Sequence, residues 1–310
     1  MKKIFIDGSA GTTGLRIIER LSARKEIEIM TLSDDKRKDP KYRKEALNNC
    51  DIAFLCLPDV AAKEAVSFIE NPNVTVIDAS TAHRTNPAWA YGFPELGAEF
   101  EEKIKNSNRI ANPGCYASGF ISLVHPLVKN GIIDSKTGLT CHAVSGYSGA
   151  GKKGIAQYED LELDPLLTGP REYALTQNHK HVPEMKIISG LDTEPIFCPY
   201  VCNFYSGMTV TVPIFASQLK SGFTANDIKE VYRNLYNSKI VKYYDSIDEE
   251  GFISASKIDD KDNMEITVAG NDERILLISR FNNLGKGASG AAVECMNIKL
   301  GVEKETGLDL

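Results

Sequence analysis

The sequence predicts an α/β protein in two parts: a Rossmann-type dinucleotide-binding domain, and an inserted α+β domain with a mostly antiparallel sheet. Three observations carry this expectation. The chain opens as strand, glycine turn and helix: Ile4-Phe5-Ile6, then Gly8 to Gly14, then Leu15, Ile17, Ile18 and Leu21 at helical spacing. Short, continuously apolar runs follow, the signature of parallel strands covered on both faces. After residue 151 that alternation weakens and half-buried strand patterns take over.

In the first turn, Gly8, Ser9, Ala10, Gly11, Thr12, Thr13 and Gly14 give the spacing G-x-x-G-x-x-G. Glycines serve any tight turn, but after the first strand of a βαβ unit they favour a pyrophosphate held by helix-start amides. The second strand, 27–32, runs into Ser33-Asp34-Asp35-Lys36-Arg37-Lys38, where such folds meet the adenine ribose. Asp34 suits the free 2′-hydroxyl of NAD. Ser33, Lys36 and Arg37 suit the 2′-phosphate of NADP, and the spacing leans that way. Strands are expected at 52–57 and 74–78, with a helix at 61–69 between them. Ligands bind at the carboxyl ends of such strands, where Pro58, Asp78, Ser80 and Arg84 fall. Pro58 and Ser80 are expected beside the cofactor; Arg84 is an anion clamp or an ordinary surface cation.

Asn112-Pro113-Gly114-Cys115 leads into a helical pattern through Phe120, Ile121, Leu123, Val124, Leu127 and Val128, closed by Asn130-Gly131. Cys115 is therefore expected at a helix N-terminus, where dipole and free amides favour the thiolate and can hold an oxyanion. The chain has seven cysteines, an odd number without a Cys-x-x-Cys pair, so neither a disulfide scaffold nor a zinc site is expected. The other six read as packing residues. A net charge of −6 argues against nucleic acid or an anionic membrane as partner. No apolar run is long enough to span a bilayer, and Asp7 interrupts the first one too early for a signal peptide, so a cytoplasmic protein is expected.

A nucleophilic cysteine needs a proton-transfer partner. Among five histidines, His125 falls inside the apolar helix and reads as structural. His179-Lys180-His181-Val182-Pro183-Glu184 pairs two rings, with Glu184 close enough to orient one. His-x-His also suits a metal, but no neighbouring cluster completes a ligand set, so no metal is expected. The stretch 145–151, Ser-Gly-Tyr-Ser-Gly-Ala-Gly, reads as a loop for substrate contact or a flexible connector. Strands are expected at 208–215, 266–269 and 275–281, and helices at 225–236 and 291–300. The small residues of 285–292 permit close backbone approach.

These elements in this order resemble the N-acetyl-γ-glutamyl-phosphate reductases of arginine biosynthesis, in the shorter of that family's two forms. The resemblance covers nearly the whole chain and rests on Gly8 to Gly14, Asn112 to Ser118, Ser145 to Gly151, His179 to Glu184, and Asn282 to Ala288. It implies NADPH as cofactor and a two-domain plan shared with aspartate-semialdehyde dehydrogenases. It implies domains 1–115 with 286–310 for the cofactor and 116–285 for substrate, catalysis and dimerisation. Pyrophosphate then lies on Gly8 to Gly14, the 2′-phosphate on Ser33, Lys36 or Arg37, and the nicotinamide near Asn282 or Asn283. Substrate contacts are expected from Arg84, Asn112, Ser145, Gly146, Ser148 and Glu184. Cys115 would form a thioester, with His179 or His181 transferring protons, in a homo-oligomer (dimer or tetramer) of an acyl-phosphate reductase. Two other readings are an aspartate-semialdehyde dehydrogenase and a non-catalytic NADP-binding regulator; the second leaves Cys115 and the paired histidines unexplained.

Overall fold

The computed structural model describes residues 1–310. The chain divides into two compact units, Met1–Gly114 with Ala288–Leu308, and Cys115–Gly287 with Asp309–Leu310.

The first unit runs β1 (Lys2–Asp7), α1 (Thr12–Leu21), β2 (Ile27–Met30), α2 (Pro40–Asn48), β3 (Ile52–Leu55), α3 (Asp59–Ser67), β4 (Thr75–Asp78), β5 (Ala90–Tyr91), α4 (Ala98–Asn106) and β6 (Arg109–Ala111). The strands form one sheet in the order β2-β1-β3-β4-β6-β5, and every pairing is parallel. Both faces are covered, which is why these strands read as unbroken apolar runs. Ile4, Ile6, Ile52 and Phe54 pack with Ile17 and Leu21 of α1 and Ile104 of α4. Their alternates Phe5, Ala53 and Leu55 pack with Ala46 and Leu47 of α2 and Ala62 and Ala65 of α3. β2 stops two residues short of its apolar pattern because its pairing with β1 ends at Phe5↔Met30.

The second unit runs α5 (Cys115–Lys129), β7 (Thr140–Gly146), α6 (Gly151–Tyr158), β8 (Arg171–Glu172), α7 (Val182–Ser189), β9 (Ile196–Cys202), β10 (Met208–Phe215), α8 (Ala225–Leu235), β11 (Val241–Tyr243), β12 (Met264–Gly270) and β13 (Arg274–Phe281). Its sheet has the order β11-β12-β13-β10-β7-β9-β8, and only β11–β12 and β7–β9 pair in parallel. The expected 145–151 loop is largely regular. Ser145 and Gly146 end β7, paired to Met208 and Cys202, and a 3₁₀ turn at Tyr147–Ala150 leads directly into α6.

α5 lies against β10 and β13. A methyl group at Gly119 would stand 2.4 Å from Val210 Cγ2, so only glycine admits this contact. Pro126 inside α5 supplies no N–H to the carbonyl of Ser122, one turn back. The Tyr236 hydroxyl donates to that carbonyl at 2.6 Å, and Tyr232 donates to the carbonyl of Leu123. The bond the proline removes is thus replaced from α8 and the residue that ends it.

A π-helical turn, Gly285–Ser289, precedes α9 (Gly290–Leu300). Ala292, Val293, Cys295, Met296 and Ile298 of α9 complete the core around Ile4, Ile6 and Ile17. No helix is long and apolar enough to cross a membrane.

Candidate active site

In the first unit the glycine turn is built by close packing. Gly8 has φ +87°, and a Cβ on it would fall 2.3 Å from the Cys56 carbonyl oxygen. A Cβ on Gly14 would fall 2.6 Å from Gly8 O, while Gly11 N–H donates to that oxygen at 2.9 Å. Gly11 caps α1 without a side-chain bond, and no acid occupies the first turn. This cradle joins a backbone too tight for side chains to a helix start without a side-chain cap, and so fits a pyrophosphate. Beneath it lies a pair the sequence did not reveal: buried Asp7 accepts from Arg43 Nε at 3.0 Å, and Arg43 also meets Glu64 at 2.6 Å. Burial raises the Asp7 carboxyl and the Arg43 cation opposes that shift.

At the ribose position, Arg37 pairs with Asp34 at 2.7 Å. The Ser33 hydroxyl bonds to Asp35 and lowers that carboxyl. Lys36 lies over the Tyr42 ring at 4.9 Å. Pro58 caps α3, and Ser80 is tied to Asp78 through its amide and hydroxyl at 2.9 and 2.7 Å. Asp78 also holds His83 Nδ1 at 2.6 Å, and that ring stacks on Trp89 at 4.0 Å, so His83 is a structural histidine. Arg84 is buried and donates to the carbonyls of Asn112 and Ala79 at 2.8 and 2.9 Å, bracing the segment that leads into Cys115. Asn112 donates to Ala288 O at 2.9 Å, and its buried Oδ1 has no partner.

In the second unit, Cys115 is the first residue of α5 and is partly exposed. A Cβ on Gly287 would lie 3.0 Å from Cys115 Cβ and 3.1 Å from Asn282 O. The small residues of 285–292 therefore include one that lets the backbone pass beside Cys115. Tyr116, next in the helix, is enclosed by His179 (ring centroids 6.0 Å), His181 (6.0 Å), Tyr173 (6.3 Å) and Phe197 (5.2 Å). Its hydroxyl is hydrogen-bonded to Tyr173 and Ser145. Burial raises both phenols, and the neighbouring Cys115 adds to the effect, so both remain protonated donors at neutral pH. Tyr116 belongs to the Asn112–Ser118 motif, but the sequence suggests no role for it, and nothing in the sequence points to Tyr173.

The paired histidines are not equivalent. The His181 amide donates to His179 Nδ1 at 3.2 Å, which places the proton of a neutral His179 ring on Nε2. His181 is 5 % exposed and caps α7, with buried Glu184 in the first turn of that helix. His125 Nδ1 meets Ile188 O at 2.9 Å, consistent with a structural role.

The 145–151 segment and the asparagine pair also come together. Asn283 Nδ2 donates to Ser148 Oγ at 2.9 Å, and its Oδ1 accepts from Gly207 N–H at 2.9 Å. A Cβ on Gly146 would meet Tyr205 O at 2.6 Å. Asn282 donates to the Asp259 carbonyl and accepts from Leu284 N–H.

Residues 3–106 match the family model described as semialdehyde dehydrogenase, NAD binding domain, and residues 115–283 the one described as semialdehyde dehydrogenase, dimerisation domain. Among solved structures, aspartate semialdehyde dehydrogenase II of Vibrio cholerae superposes with TM-score 0.72 at 15 % identity, covering 97 % of this chain and 98 % of that one. The Candida albicans aspartate semialdehyde dehydrogenase with NADP gives 0.68 at 17 %, covering 96 % and 98 %. At such identities the likeness is one of fold. N-acetyl-gamma-glutamyl-phosphate reductase 2 of Nostoc sp. is 43 % identical over 99 % of both chains. The Rhizobium etli protein named N-acetyl-gamma-glutamyl-phosphate reductase is also 43 % identical, over 96 % of this chain and 98 % of its own. A likeness at that level along the full length, with both domain models in sequence, means that the chain belongs to the N-acetyl-γ-glutamyl-phosphate reductase family of semialdehyde dehydrogenases.

Proposed function

We propose that this protein reduces N-acetyl-γ-glutamyl phosphate to N-acetylglutamate 5-semialdehyde and phosphate, with NADPH, in arginine biosynthesis. The observation that carries the reading is Cys115 at the start of α5, with His179 and His181 packed around the adjoining Tyr116.

The cofactor fits the first unit. The Gly8–Gly14 cradle suits the pyrophosphate, and the pairing of Asp34 with Arg37 offsets the acid that would favour a free 2′-hydroxyl. Ser33, Lys36 and Arg37 would then meet the 2′-phosphate, and Pro58 and Ser80, after β3 and β4, would flank the cofactor elsewhere along the sheet's carboxyl edge. Bound NADPH supplies a hydride for the acyl carbon.

Cys115 thiolate attacks the acyl carbon, a C–S bond forms, the C–O bond to phosphate breaks, and a thioester results. Amides at the start of α5 stabilise the tetrahedral oxyanions. His179, with Nδ1 held by the His181 amide, gives a proton from Nε2 to an oxyanion or recovers it as the aldehyde leaves. Arg84 and the partnerless Asn112 Oδ1 are our candidates for substrate contact in the first unit, and Ser145, Gly146, Ser148 and Glu184 are our candidates in the second.

We also infer a cytoplasmic homo-oligomer built on the second unit. On the sheet face opposite α5, Pro213, Phe215 and Leu276 turn outward; Phe215 and Leu276 are exposed, and a second copy would cover that face. Sedimentation of the purified protein as a monomer would refute this.

The deciding assay is NADP- and phosphate-dependent oxidation of N-acetylglutamate semialdehyde, with aspartate semialdehyde as competitor. Preference for the aspartyl substrate overturns the reading. Cys115→Ala should abolish turnover and leave NADPH binding nearly intact; full activity in that variant overturns the mechanism.

A further inference from the structure

The loop that carries the histidine pair is held by a side chain in place of a strand. β8 pairs with β9 through Arg171 and Glu172, and Tyr173 N–H donates to Pro199 O at 3.1 Å. Backbone pairing stops there. Ala174 takes φ +56°, a turn closes from Gln177 N–H to Ala174 O at 2.8 Å, and Gln177 takes φ +60°. Non-glycine residues keep left-handed conformations only where their surroundings enforce them.

At Gln177 the enforcing contact is its own amide. Nε2 donates to Phe197 O at 2.9 Å, and Phe197 N–H donates to Oε1 at 2.9 Å. A carboxamide presents a donor and an acceptor side by side, as a peptide group does. Gln177 therefore continues the β8–β9 ladder and satisfies polar groups that a sheet edge would leave open. Phe197 is also the residue whose ring meets His179 at 5.1 Å and Tyr116 at 5.2 Å. One residue of β9 thus fixes the loop on its backbone side and touches the imidazole on its side-chain side. Gln177 itself is exposed, so burial does not hold it there.

We propose that Gln177 is a positioning residue for His179, its amide clamping the histidine loop to Phe197 and setting the imidazole beside Tyr116. The proposal rests on His179 as the proton-transfer residue. The test compares Gln177→Ala, Gln177→Glu, His179→Ala and His181→Ala with the wild type in the NADP- and phosphate-dependent oxidation. A loop displaced by about half an ångström should cost about tenfold in kcat in Gln177→Ala, with the NADP KM changed less than about twofold. The kcat–pH profile of that variant should also shift, since His179 then titrates among altered neighbours. Gln177→Glu keeps the acceptor for Phe197 N–H but turns a carboxylate oxygen toward Phe197 O, which repels it, and should lose at least as much kcat as Gln177→Ala. Wild-type kcat and pH profile in Gln177→Ala, even with a lowered melting temperature, would overturn the proposal while leaving an impaired His179→Ala to support the histidine reading. Full activity in both His179→Ala and His181→Ala would remove that reading and the proposal together. If Gln177→Ala does not fold, Gln177→Glu decides in the same way: reduced kcat with a shifted profile supports the clamp, and wild-type kinetics overturn it.

Discussion

Gly287 offers a way to move Cys115, the proposed nucleophile, without replacing it. In Gly287→Ala the new methyl would stand 3.0 Å from Cys115 Cβ, 3.1 Å from Asn282 O and 3.3 Å from the Phe281 ring. Ordinary carbon–carbon contact lies near 3.5–4.0 Å, so several tenths of an ångström must be found. Phe281 is fully buried in β13, and Asn282 is fixed by its own side-chain bonds to Asp259 and Leu284. Cys115, partly exposed at a helix start, is the partner that yields most easily. Overpacking of this size costs about 1–3 kcal/mol, part of which relaxes through that shift. Displacing a reacting atom by about 1 Å costs about a hundredfold, so a shift near half an ångström predicts a five- to thirty-fold loss in kcat. The NADP KM should stay within about twofold, because the cradle at Gly8 and Gly14 belongs to the other unit. The assay is the initial rate of NADPH formation from N-acetylglutamate semialdehyde and phosphate, beside a melting curve and the rate of Cys115 alkylation. Unchanged kcat and alkylation in a folded variant would refute the claim that the Gly287 backbone shapes the position of Cys115.

Gly8→Ala should abolish NADP binding measured by fluorescence titration, since its Cβ would meet the Cys56 carbonyl at 2.3 Å and φ +87° disfavours any side chain. Asn283→Ala strands the Gly207 amide and the Ser148 hydroxyl in the interior, which predicts about 2–4 kcal/mol of destabilisation in urea unfolding. Burial pushes the Cys50 thiol up to about 11 and the Cys56 thiol up to about 12, with Asp78 and Asp7 adding to the latter. A raised thiol loses thiolate at neutral pH, so Cys50 should hold about one part in a thousand at pH 8 and gain about tenfold per pH unit above it. Peptide mapping after brief iodoacetamide treatment at pH 8 should accordingly find Cys115 labelled well ahead of both.

Signals that act over a few residues were legible in the sequence. The glycine spacing, the apolar runs and the helix start at Cys115 all follow from local sterics or periodicity, and the structure has each of them. Gly131, expected to close α5, does so with φ +69° and a bond to Val128 O at 3.0 Å. Contacts made across the fold were not legible. Arg43 meets Asp7 across 36 positions, Tyr236 reaches Ser122 across 114, and Asn283 reaches Ser148 across 135. Each depends on which strands are neighbours and in what register, and no periodicity encodes that. The 145–151 stretch shows the cost. Its glycines and serines read as a loop for substrate contact or a flexible connector; in the structure the carbonyls of Phe204 and Tyr205 crowd Gly146, and Asn283 binds Ser148. Composition could not reveal the close packing that makes this stretch regular.

The histidine pair shows how a local pattern gains direction from its surroundings. In sequence, His-x-His presents two equal bases. In the structure residue 181 caps α7, so its amide is among those a helix leaves without an internal partner. The ring two residues earlier accepts that amide, much as a short polar side chain caps a helix, and the bond settles which nitrogen of His179 carries the proton. His181 is buried at the helix start beside Glu184, and its backbone does the orienting. The two rings meet edge-on, 4.7 Å apart, so neither can turn without disturbing the other. The spacing of two thus makes the pair unequal: one imidazole has its Nδ1 engaged as an acceptor, and the other residue supplies the amide it accepts. On this argument, replacing His181 while keeping its amide should damage catalysis less than replacing His179. The reverse ranking in kcat would show that the buried ring, not the oriented one, moves the proton.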